Sequence, residues 1–103
     1  MEKTDKINAI HNLLNAPKTA EEYYQLLESM GEIKTNYHTY ATTEPINCDK
    51  ELERLSDADY ELCTALLTMI LREDHFANGS FERRQKTGQV NAILKRMIEN
   101  ISN

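Results

Sequence analysis

The densest cluster of reactive side chains is Arg72-Glu73-Asp74-His75-Phe76. Two carboxylates, an imidazole and a guanidinium could bind a divalent cation or supply an acid and a base. Asp74 and His75 are the members suited to those roles. On a helix, neighbouring residues diverge around the axis, so only Arg72 shares a face with His75 or Phe76, at spacings of three and four. The plainer reading needs no ligand: Arg72 reaches out from an apolar helix to pair with an acid, and Phe76 plugs the core. The chemical reading takes Arg72, Asp74, His75, Glu82 and Arg83 as one polar site, in a small metal-dependent hydrolase or nuclease. A metal would need further ligands, and nothing in the sequence brings His11 or His38 near.

A second constellation is Arg83, Arg84 and Lys86 with Lys95 and Arg96. From Gly79 to Asn103 there are five basic and two acidic residues, a local excess of three positive charges. Such a patch could hold phosphate or an acidic partner. The alternative is a solvated helix face balanced by the acidic half, which carries six basic and ten acidic residues through Leu55. The five tyrosines suit the rim of a core or a contact surface. No Gly-rich phosphate loop, GxSxG, HExxH or paired Cys/His zinc spacing occurs. No catalytic residue, metal ligand or cofactor is therefore assigned.

Composition limits the class of molecule. With 103 residues there is room for a single domain, 1–103. Hydrophobic residues make up 40% and charged residues 28%, the balance of a globular chain. A net charge of −5 argues against general duplex-DNA binding, which needs a dominant basic field. The first residues are polar and no apolar leader follows, so no signal peptide is expected. The longest apolar run, Leu62 to Leu71, is well short of the roughly 20 residues that cross a bilayer. These features predict a cytoplasmic location without membrane attachment, with Cys48 and Cys63 reduced. Asn78-Gly79-Ser80 reads as a turn.

The elements that must position these residues are mainly helical. Ile7, Ile10, Leu13 and Leu14 predict a helix over 5–15, ended by Pro17. Thr19-Ala-Glu-Glu22 has the form of a capping box, and Gly31 suits the stop of the helix that follows. Residues 32–48 are rich in β-branched and aromatic types, and predict a short β segment or a long ordered loop. Asp49 could cap a short helix near 50–54. Ser56-Asp-Ala-Asp59 starts a long helix to about Asp74. Eight of the ten residues from Leu62 to Leu71 are apolar, so this helix should be buried all round and central. Ser80 could cap a helix over 81–86, ended by Gly88. The final helix runs from Gln89 to about Ile101 with a continuous apolar stripe, which offers a surface for self-association. The fold expected is a compact bundle of about five helices.

The run Ala65-Leu-Leu-Thr-Met-Ile-Leu-Arg72-Glu-Asp-His-Phe76-Ala-Asn-Gly79, with Gly88 and Ile93-Leu94-Lys-Arg-Met97, resembles a small bacterial and phage-associated family of unknown function. The resemblance spans residues 62–101. It implies an apolar helix followed by an Ile/Leu-rich helix, and it implies no activity. Taken together, the residues favour a non-catalytic protein-interaction module. A phosphate or nucleic-acid binder using the basic patch and a small metal-dependent hydrolase remain the alternatives.

Overall fold

A computed structural model describes residues 2–102. Among these residues the chain forms six α-helices: α1 (Lys3–Asn15), α2 (Ala20–Met30), α3 (Cys48–Leu52), α4 (Tyr60–Phe76), α5 (Ser80–Lys86) and α6 (Gln89–Ser102). Two 3-10 turns, Tyr37–Tyr40 and Leu55–Asp57, lie between them.

The order of the bundle follows from α4. Every residue from Cys63 to Leu71 is buried, including Thr64 and Thr68. A helix without a polar face must be enclosed, and α2, α3, α5, α6 and the first 3-10 turn all pack on it. The two threonines remain compatible with burial because their hydroxyls bond back to the helix, Thr64 to the Glu61 carbonyl and Thr68 to the Thr64 carbonyl. The first helix packs chiefly on α6 and α2 rather than on the hub. The apolar stripe of α6 is used inside the chain: Val90, Ile93, Leu94 and Met97 are fully buried. One core cluster draws side chains from all six helices.

Several helix ends follow local rules, and others do not. Asp59 caps α4 by accepting from the Leu62 amide at 2.8 Å. Gly31 ends α2 at a φ of 69°, and the Glu32 amide reaches back to the Leu27 carbonyl. That left-handed stop is the glycine-favoured geometry. The expected Thr19 capping box does not form, because no side chain caps that end. The short third helix starts at Cys48 and is capped by Asn47, not by Asp49. Gly79 takes the cap position before α5, and Ser80 is that helix's first residue.

Two expectations need correction. Residues 32–48 contain no strand among the described residues; they form an irregular segment with one 3-10 turn. Ile33, Tyr37, Tyr40, Ala41 and Ile46 pack individually against the helical core, so no partner strand is needed. Lys34 pairs with Glu61, and its amide approaches the Thr68 hydroxyl. Phe76 does not plug the core: it is 90% exposed. The ring that closes this end is Phe81, buried at 2% and set edge-on to Tyr23 with centroids 5.0 Å apart. The turn at 77–79 folds α5 back, which places Phe81 over the end of α4 and leaves Phe76 outside.

These two phenylalanines should therefore behave oppositely. Phe81→Ala should cost about 3–5 kcal/mol, and Phe76→Ala should change stability by less than about 0.5 kcal/mol. Urea denaturation of the two variants checks this.

Candidate functional site

The cluster at the end of α4 is largely occupied by the fold. Glu73 accepts two hydrogen bonds from Arg84, Nε to Oε1 at 2.7 Å and Nη2 to Oε2 at 2.9 Å. Such a bidentate pair is the stronger form of ion pair. The same guanidinium donates to Asp49 and Gln89, both at 2.9 Å, so it joins α3, α4, α5 and α6. Hydrogen bonding from Arg84 holds the Glu73 carboxyl below its ordinary range. Asp74 Oδ1 accepts from the Phe81 amide at 3.1 Å and so fastens the start of α5. The guanidinium that ties down this end is Arg84, not Arg72 as the sequence suggested.

A second buried anchor organises the loop before α3. Glu51 is fully buried. It accepts from the Thr42 amide and hydroxyl, the Thr43 amide and hydroxyl, and Arg54 Nη1, at 2.5–3.1 Å. Burial alone would raise its pKa. The hydrogen bonds from Thr43, Thr42 and Arg54 outweigh burial and bring it down to about 2. Arg54 also donates to the Tyr40 carbonyl at 2.7 Å. The segment carrying Tyr37 and Ile46 is thus held on one carboxylate.

Both thiols are poor nucleophiles. Burial pushes Cys48 up to about 12 and Cys63 up to about 11. At neutral pH both stay protonated, and the thiol is far less reactive than the thiolate.

The proposed polar-site residues separate in space. Arg72, Asp74 and His75 line one open groove of about 610 Å³ with Thr19, Glu21 and Tyr24. Glu82 lies outside this groove on α5 and pairs with Lys86 at 3.4 Å. Arg83 faces a different groove, shared with Asp49, Glu73 and Arg84. The basic residues also part company. Arg84 is bound internally. Arg96 donates to the Ala58 carbonyl at 2.8 Å and pairs with Glu99. Lys86 is paired to Glu82, while Arg83 and Lys95 are exposed. Among the described residues, no group of three His, Cys, Asp or Glu side chains is arranged to hold a metal ion.

What this end of the molecule leaves open is a smaller groove on the other side of Arg72. It measures about 250 Å³ and is lined by Tyr37, Ile46, Cys48, Met69, Arg72, Glu73, Phe76 and Ala77. Met69, Arg72, Glu73 and Phe76 fall on one face of α4, at helical spacings of three and four. Tyr37 and Ile46 come from the irregular segment. Arg72 sits with its guanidinium 5.9 Å from the Tyr37 ring centroid, a cation–π arrangement. Among the described residues, no carboxylate lies within ion-pair distance of Arg72.

The sequence identified Arg72 and Phe76 but paired the first with an acid and placed the second in the core; it offered Tyr37 as one of the tyrosines of a rim or contact surface, and it missed Ile46, Glu51 and the Arg84–Glu73 pair. The one local signal was the Glu51/Arg54 spacing of three. The other contacts join residues between five and thirty-five positions apart.

A family model for a family of unknown function, DUF6508, matches residues 3–103. The chain belongs to DUF6508. Membership extends over the N-terminal half, beyond the 62–101 region that carried the resemblance. No curated protein and no solved structure matches the chain. No helix in the described part of this DUF6508 chain is long and apolar enough to cross a membrane.

Adjacent arginines on α5 supply a direct test of the internal pairing. Arg84→Ala should cost on the order of 2–3 kcal/mol, because it leaves Glu73 half-buried and unpaired; Arg83→Ala should be near neutral. Urea midpoints at low and high salt measure both.

Glu51 also predicts acid sensitivity. Its folded pKa lies below the unfolded value of 4.5, so its stabilising contribution is full above about pH 4.5 and fades as pH falls towards about 2. That contribution is on the order of 2–3 kcal/mol, allowing for solvent screening. Glu51→Gln should lower stability at pH 7 and flatten the loss between pH 5 and about pH 2. A series of urea unfolding curves across that range decides it.

Proposed function

We propose that this protein is a non-catalytic interaction module, with its contact surface at the C-terminal end of α4. The observation that carries this reading is Phe76, which stands 90% exposed at the edge of a groove lined by Tyr37, Ile46, Met69 and Arg72. Among the described residues it is the one large apolar side chain left in water. Tyr, Phe, Met and Arg are the types enriched where proteins meet, and Tyr and Arg are frequent energetic anchors. The surface is also firmly backed. Glu51 holds the loop beside it, and the Arg84–Glu73 pair fixes the helix end beneath it. A pre-formed surface loses less entropy on binding than a mobile one.

The chemistry nearby supports recognition over turnover. Asp74 is used by the α5 amide, Glu73 by Arg84, and the thiols are buried and protonated at neutral pH. His75 lines the larger groove together with Arg72 and Asp74.

Site-specific photo-crosslinking tests the reading in cells that produce the full chain. A benzophenone side chain at position 76 should yield a discrete crosslinked protein product. The same group at exposed position 95 should not. Equal products from both positions, or none from position 76, would remove this surface as the contact site.

A further inference from the structure

The groove beside Arg72 has features that restrict its occupant. Its volume, about 250 Å³, suits one large apolar side chain rather than a helix face. Its floor and walls are mainly apolar: Tyr37, Ile46, Met69, Phe76 and Ala77. The two acidic or thiol groups on its lining are already neutralised or neutral. Glu73 is held by the Arg84 fork, and Cys48 is a buried thiol. The guanidinium of Arg72 is different. It lies 5.9 Å from the Tyr37 ring centroid, and Arg72 lines both this groove and the larger one that holds His75.

Area argues against a second copy as the occupant. Phe76 at 90% exposure offers on the order of 180 Å² of apolar surface. A stable interface needs about 800 Å² from each partner. The α6 stripe, which might have extended the patch, is buried in the core. A short segment entering the groove needs far less area from the flat surface around it.

We propose that this groove binds a peptide segment presenting one large apolar side chain with a carboxylate beside it, the side chain seated against Tyr37, Met69 and Phe76 and the carboxylate on Arg72. This rests on the contact surface proposed above and adds the chemistry of its partner. The positive charge is local, in a chain of net charge −5, so the attraction is specific to this mouth and not general to the surface. The contact should weaken with salt, as an exposed ion pair does.

The test uses the full chain, 15N-labelled, and two small probes at millimolar concentration. N-acetyl-phenylalanine has an apolar side chain and a free carboxylate; N-acetyl-phenylalaninamide has the same side chain without the charge. The acid should give saturable shifts at the amides of Tyr37, Met69, Arg72 and Ala77, with an apparent affinity at least fivefold tighter than the amide's. Arg72→Gln, a change at an exposed side chain, should reduce that preference below twofold. Arg72→Lys should keep part of it.

Equal affinity for the two probes, or a preference unchanged in Arg72→Gln, overturns the carboxylate assignment while crosslinking from position 76 still upholds the interaction surface. No shift with either probe overturns the groove as a peptide site. Shifts at these amides on raising protein concentration alone, with sedimentation showing dimers, would replace the peptide by a second copy and overturn the proposal. If the acid binds as stated but position 76 crosslinks to nothing, the partner chemistry stands and the protein-interaction reading falls.

Discussion

Enclosing α4 is the constraint on which the bundle depends. Nine consecutive residues, Cys63 to Leu71, are buried, so no side of this stretch tolerates water. Four helices and a 3-10 turn pack on it, and α1 completes the core from behind α6 and α2. Burial of each large aliphatic side chain contributes roughly 1.5–3 kcal/mol, and this stretch supplies five of them, Leu66, Leu67, Met69, Ile70 and Leu71. Its cost is that the ends must be closed by other means. At the C-terminal end, closure comes from Phe81 and the Arg84–Glu73 pair, both supplied by the turn that folds α5 back.

Charge is used inward more than its distribution along the chain suggests. Glu51 gathers the loop at 42–43, Arg84 joins four helices, and Arg96 fastens the Ala58 carbonyl. Each is a long-range tie that replaces hydrogen bonds with water by hydrogen bonds within the fold. The consequence is a surface with few uncommitted charges near the end of α4. Arg72 stands out there because its close partner is an aromatic ring and not a carboxylate.

Those two facts together shape the functional reading. The same turn that brings Phe81 inward leaves Phe76 outward, and the same ion pair that consumes Arg84 spares Arg72. An exposed aromatic and an uncommitted guanidinium then border one apolar groove. The position of Phe76 beside Tyr37, Ile46 and Met69 is what an occupant would use.

The helices were legible in the sequence because helix formation depends on neighbours three and four residues apart. The apolar periods, Gly31 as a stop and the unbroken run at 62–71 all act within one or two turns. For the segment at 32–48 the residues leave a short β segment and an ordered loop equally open, because β propensity reflects packing context; here the context is helices and the loop forms. The site was only half legible. Arg72 and Phe76 were visible as residue types at helical spacing, but whether a ring four residues further on points in or out is decided by where the chain turns next. Likewise Arg84 was read as one of a basic row, since nothing local reveals a carboxylate eleven positions back. Sequence alone determined the helices and the buried hub. Tertiary structure decided which arginine is paired and which aromatic is buried, because those contacts join residues distant in the chain and exist only after the hub has been enclosed.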